Sequence, residues 1–176
     1  MARYPADLEE RWQSGNEVLT IRPIRPEDAP QHDAFFHRLS PEDVRLRFFA
    51  TVRELTPVQM AKFTRLDYER DMAFIAVRET TGETVGVARL ARENGPLVGE
   101  FAVVVQRDQQ GKGLATHLLQ RLLEWARAHG VHEVIGEILP ENEKMLDLAR
   151  HLGFTLQHAP DDPGVIEARL VLTDSS

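Results

Sequence analysis

The fold is decided by residues 102–119, AVVV-QRDQQ-GKG-LATHLL, where a β-branched run passes through a polar loop and two glycines into an amphipathic stretch. Val103, Val104 and Val105 have the composition of a strand. Leu114, Ala115, Leu118, Leu119, Leu122, Leu123 and Ala126 recur at helical spacing and Gly130 supplies a stop, so a helix is predicted over Gly113–His129. A strand that feeds a helix through Gly111-Lys112-Gly113 exposes amides at the helix N-terminus, and these, with the dipole, suit an anion such as pyrophosphate. The glycines let the backbone come close to phosphate oxygens and Lys112 adds a point charge. Spacing alone leaves a plain tight turn equally open. A P-loop needs its lysine followed by Ser or Thr after four intervening residues, and a dinucleotide fingerprint needs a third glycine where Thr116 stands, so nucleoside triphosphates and nicotinamide cofactors are disfavoured.

Outward from this stretch the chain alternates strands and helices. Val18–Arg25 alternates apolar and polar residues and is closed by Pro26; Glu27–Leu39 suits a helix with Phe35, Phe36 and Leu39 facing inward. Ser40-Pro41-Glu42-Asp43 and Thr56-Pro57-Val58-Gln59 each carry a helix start, the second opening a helix to about Leu66. Met72–Arg78, Thr84–Arg92 and Gly99–Val105 then read as a strand meander. After the central helix come a strand over Glu133–Leu139, a helix over Asn142–His151, and two strands near Phe154 and Val165–Leu172 hinged at Asp161–Gly164. The expected fold class is α/β (α+β): a mixed, mostly antiparallel sheet of about seven strands flanked by about four helices. One domain is expected over residues 18–173, preceded by a polar N-terminal arm over residues 1–17.

Composition narrows the function. The 176 residues carry a net charge of −7, which argues against nucleic acid as a partner, since phosphate neutralisation needs a basic face. No apolar run is long enough to span a bilayer and Met1–Glu10 has no signal-peptide core, so no membrane association and a cytoplasmic location are expected. Cysteine is absent and the seven histidines are scattered, which leaves no thiol nucleophile and no metal-ligand pattern.

Gln110-Gly111-Lys112-Gly113-Leu114-Ala115 fits the Q/R-x-x-G-x-G/A motif of the GNAT superfamily of N-acetyltransferases, whose loop holds the CoA pyrophosphate. The chain resembles that superfamily further in the strand EFAVVV before the motif, in NEKMLDLARHLGF after it, and in a strand followed by two helices at the start. YPADLEERW with TIRPIRPEDA, LSPEDVRLRFF and the ENEKMLDLARHLGF tail resemble the GNAT domain of bacterial protein lysine acetyltransferases.

The resemblance implies roles. Acetyl-CoA would be the co-substrate, with no metal. Its diphosphate would lie on Gln110, Gly111, Lys112, Gly113, Leu114, Ala115 and Thr116, and its arm along Val103, Val104 and Val105. The Val103 amide would stabilise the developing oxyanion, a contribution of roughly 3–4 kcal/mol for one donor. A lysine amine is mostly protonated near neutral pH, only about one molecule in a thousand being neutral, a penalty of roughly 4 kcal/mol that a general base addresses. Glu100 is the implied base and Glu137, on the following strand, the reserve; each also reads as an ordinary strand carboxylate. Asn142 would touch the CoA arm, and is equally a helix N-cap. Many GNAT enzymes have a tyrosine acid where this chain has Ala149, which puts protonation of the leaving thiolate by a side chain in doubt.

The expected activity is direct acetyl transfer in a ternary complex to a protein lysine ε-amine, with an acyl-CoA synthetase as the acceptor the resemblance implies. The alternatives are a small amine such as a polyamine or antibiotic, and a CoA-binding regulatory module without turnover.

Overall fold

Eight strands form one sheet in the order β1-β2-β3-β4-β5-β6-β8-β7, and every neighbouring pair is antiparallel except β5 with β6. The computed structural model describes residues 3–39, 64–92 and 95–172. The strands are β1 (Glu10–Ser14), β2 (Glu17–Pro23), β3 (Met72–Arg78), β4 (Thr84–Ala91), β5 (Val98–Val105), β6 (Glu133–Ile138), β7 (Thr155–Ala159) and β8 (Asp162–Val171). The helices are α1 (Ala29–Arg38), α2 (Leu114–Ala128) and α3 (Glu143–His151). The helices expected from Ser40 and from Thr56 lie outside the described residues. Among the described residues, no helix is long and apolar enough to cross a membrane, and no group of three or more His, Asp or Glu could hold a metal ion.

Two expectations are corrected. The arm expected over residues 1–17 contains a strand: Glu10–Ser14 pairs with β2 at the edge, which brings the described sheet to eight strands. The final hairpin turns at Pro160-Asp161, earlier than Asp161–Gly164, because Ala159 pairs with Asp162. Pro163 and Gly164 fall in the register shift beside His158, where a residue that cannot donate to a ladder is tolerated.

Among the described residues, helices lie on both faces of the sheet. Helix α1 lays Phe35 and Phe36 on Ile24, Ala73, Ile75, Val87 and Val104. On the other face α2 buries Leu114, Leu118, Leu119, Leu122, Leu123, Trp125 and Ala126, joined by Leu146 and Ala149 of α3. Fully burying one leucine is worth about 1.5–3 kcal/mol, so the α2 stripe is a principal source of cohesion. The far end of α2 is pinned by Arg92, whose guanidinium donates to the carbonyls of His129 (2.7 Å), Pro96 (3.0 Å) and Glu69 (3.3 Å) and lies over the Trp125 ring.

The parallel contact between β5 and β6 is short, running only through Val98↔Glu133, Gly99↔Val134 and Glu100↔Ile135. Beyond Glu100 the two strands part, β5 continuing against β4 and β6 against β8. Phe101, the first residue past the fork, turns to the α2 side and packs on Phe154 with ring centroids 5.2 Å apart. Its ring takes the space a side chain would need at residue 136, since a Cβ added at Gly136 would meet three ring carbons at 2.7 Å or closer. Gly136→Ala must therefore displace Phe101 from the fork. The expected cost is about 1–3 kcal/mol of stability, read as a lower midpoint in urea with an unchanged slope.

Candidate functional site: the cleft between parted strands

Above the fork lies a cleft of about 1050 Å³, bounded by the end of β5, the loop to α2, the first turn of α2 and the start of α3. The strand supplies backbone to it. The Gln106 amide donates to Val85 O, toward β4. Since successive residues of a strand point their amides to opposite sides, the Val103 and Val105 amides face away from β4, where β6 has already left. Leu97 agrees with this phase: its carbonyl, also odd-numbered, faces the β6 side and accepts from His132 and Glu133.

Three side chains of the loop are tied to the rest of the protein. Gln106 accepts from Arg38 (3.0 Å) and donates to Asp108 (3.0 Å). Asp108 accepts from Arg78 (2.8 Å), and Gln109 is buried against Ser14 and Glu17. Partial burial pushes the Asp108 carboxyl up, but Arg78 and Gln106 outweigh it and hold the group below its usual value of 3.8. A depressed carboxylate stabilises fully above the unfolded-state value and loses that contribution only as pH falls through the lower folded-state one, so Asp108 stays ionised throughout the neutral range.

At the end of the loop, Gly111 (φ +82°) and Gly113 (φ +84°) adopt the left-handed conformation that side chains disfavour. Gly113 is the N-cap of α2 and no side chain caps the helix. The amides of Leu114, Ala115 and Thr116 therefore have no intrahelical partner at the cleft floor.

The cleft gathers most of the residues expected from sequence. Val103, Val104, Val105, Gln110, Gly111, Gly113, Leu114, Ala115, Thr116 and Asn142 all line it. Lys112 does not: its aliphatic stem runs beside Gly15, with Cε 3.6 Å from where a Cβ there would sit. Asn142 caps α3, its Oδ1 accepting from the Met145 amide (3.3 Å), so the cap reading is realised in a residue that also lines the cleft. Neither Glu100 nor Glu137 lines it. Glu100 is the last β5 residue paired across the fork, and alternation turns it toward the α1 face with Ala102 and Val104. Glu137 lies on that same face of β6, two residues past Ile135, and is solvent-exposed. Ala149 is fully buried in the core and offers no acid.

Sequence reasoning missed the α3 wall. Glu141, Lys144, Met145 and Leu148 line the cleft, and Lys144 donates to the Gln110 side chain at 3.1 Å. The available signal was the helical period starting from Asn142, which places residues 145 and 148 on one side of α3.

Residues 18–155 match the family model of the acetyltransferase (GNAT) domain. The chain belongs to the GNAT acetyltransferase family. It is an enzyme, an acetyl-CoA-dependent acetyltransferase. Acetyltransferase PA5475 of Pseudomonas aeruginosa is 36% identical over 167 residues, 93% of this chain and 88% of that one. The L-methionine sulfoximine/L-methionine sulfone acetyltransferase of the same species is 37% identical over 87 residues, 47% of this chain and 50% of that one. Among solved structures, the GNAT domain of S. lividans PAT superposes with a TM-score of 0.87 at 27% identity, covering 97% of this chain and all of that one.

GNAT acetyltransferases use acetyl-CoA, and the uncapped amides at Gly111–Thr116 are the element of this cleft that suits a diphosphate. Gly113→Val forces a β-branched residue into φ +84°, a strain of about 1–3 kcal/mol that the loop relieves by moving. The expected result is CoA binding weakened at least tenfold by titration calorimetry, with the far-UV circular dichroism unchanged.

Proposed function

We propose that the protein is an N-acetyltransferase that passes the acetyl group of acetyl-CoA directly to a primary amine, with a protein lysine ε-amine as the acceptor. The supporting observation is the position of Glu100 at the fork, its side chain on the face opposite the diphosphate loop and its strand leading straight to the Val103 amide. A substrate amine arriving from that face loses its proton to the Glu100 carboxylate, directly or through one water. The amine nitrogen bonds to the thioester carbon while the Val103 amide faces the developing oxyanion. The C–S bond then breaks, the nitrogen gives its second proton to water, and because Ala149 carries no acid the departing thiolate takes its proton from water.

The charge of that face supports this acceptor class. Alternation places Glu133, Glu137, Glu167 and Arg169 on the Glu100 side of β6 and β8. The outward residues Glu137, Arg169 and Val171 are exposed, while Val134, Ile138 and Ala168 on the reverse are buried. Among the described residues no helix lies on this half of the sheet. A net-acidic surface suits the cationic side chain of a lysine presented by a protein. An acyl-CoA synthetase is one acceptor of that kind, and acetyl-CoA supply fits a cytoplasmic location. A second reading, a free amino-acid-like amine, is favoured by the 37% identity to the methionine sulfoximine/sulfone acetyltransferase over 87 residues.

The test is thiol release from acetyl-CoA in the presence of lysine-bearing proteins and, separately, of free amino acids including methionine sulfone. Turnover with proteins alone supports the first reading, and turnover with amino acids alone the second. Tight CoA binding without release across both panels would overturn both acceptor readings. Glu100→Gln is expected to keep acetyl-CoA affinity within twofold and to lower turnover at least a hundredfold; near-normal turnover would remove Glu100 from the mechanism.

A further inference from the structure

Strand β1 is polar on the side that faces the molecule, and each of its inward residues touches the segment that builds the cofactor loop. Glu10 hydrogen-bonds His117 of α2 and pairs with Arg121 at 2.7 Å. Trp12 stacks on the His117 ring, with centroids 5.0 Å apart and planes at 10°. Ser14, fully buried, donates its hydroxyl to Gln109 Oε1 at 2.7 Å. Gln109 in turn donates through Nε2 to Glu17 at 2.5 Å, and Glu17 receives Arg78, which also holds Asp108. At the hairpin tip Gly15 lies beside the Lys112 stem. The hairpin therefore contacts the loop at residues 109 and 112 and the helix at residues 117 and 121.

Gln109 is 1% exposed, although it borders the cleft. A buried amide with both polar ends satisfied has one orientation, and it fixes the chain that leads into Gly111–Gly113. We infer that the β1–β2 hairpin is a positioning device for the diphosphate loop, with Gln109 as the positioning residue through which it acts. Gln109 acts through the backbone it fixes and not through contact with the cofactor. It sets where the amides two to seven residues later point, and so sets affinity for the diphosphate half of acetyl-CoA without contributing to its thioester end. This rests on the reading that the loop binds the acetyl-CoA diphosphate.

The experiment compares binding of acetyl-CoA with binding of acetyl-pantetheine, which keeps the thioester and arm and lacks the diphosphate. Gln109→Met preserves side-chain volume and removes both hydrogen bonds. Expected is at least a tenfold loss of affinity for acetyl-CoA with acetyl-pantetheine affinity held within twofold, so that the preference for the longer ligand collapses. Retention of the wild-type preference would overturn the inference, as would equal loss for both ligands, the mark of a merely structural role. If Gln109→Met does not fold, as judged by its melting curve, Ser14→Ala is read in its place by the same ratio and with the same two overturning results. Wild-type protein that binds acetyl-CoA no better than acetyl-pantetheine would instead overturn the diphosphate reading, and this inference with it.

Discussion

The brevity of the β5–β6 pairing is the constraint on which the site depends. Three residue pairs join the strands, and then each follows its other neighbour. Had the ladder continued, the amides of Val103 and Val105 would be spent within the sheet. Because it stops, a gap opens in the middle of an otherwise closed β layer, with peptide donors along one wall. An amide left without a partner away from water costs about 1–3 kcal/mol, so such a wall favours a ligand with its own amide-like groups over a purely apolar one. Phe101 over Gly136 makes the parting permanent by filling the crotch on the helical side with an aromatic ring.

The loop above the fork divides its labour between side chain and backbone. Gln106, Asp108 and Gln109 all direct their polar groups into the protein, where Arg38, Arg78, Ser14 and Glu17 receive them. At the helix entrance main chain also faces the cleft, brought there by two glycines in a conformation other residues resist. A rigid loop of this kind carries its geometry before any ligand arrives, which limits the ordering cost of binding.

Much of this was legible in the amino-acid sequence, and the exceptions have physical causes. The strand, loop and central helix were legible because a β-branched run gives way, across a glycine pair, to an apolar stripe at helical spacing. Strand β1 was not, since the alternation that reveals a strand is normally apolar inside and polar outside. Here the inward set is Glu10, Trp12 and Ser14, matched to a polar loop and not to a hydrocarbon core, so only Trp12 resembles a core residue. The last hairpin was misplaced because Asp161–Gly164 has turn chemistry that the fold uses for a bulge. The site residues on β5 and the loop were within reach through motif resemblance. The sideways lie of Lys112 was not, because it depends on Gly15, nearly a hundred residues earlier.

Helix α2 has two differently treated ends. At its carboxyl end the partial negative charge meets Arg92, whose guanidinium sits on the His129 carbonyl and is screened from solvent by its burial. At its amino end no side chain intervenes. A macrodipole's two poles oppose each other at any distant point, so neutralising one leaves the field of the other less diluted. Arg92, at the opposite end of a fifteen-residue helix from the glycines, thus makes α2 behave at the cleft more like a lone positive pole than like half of a balanced pair.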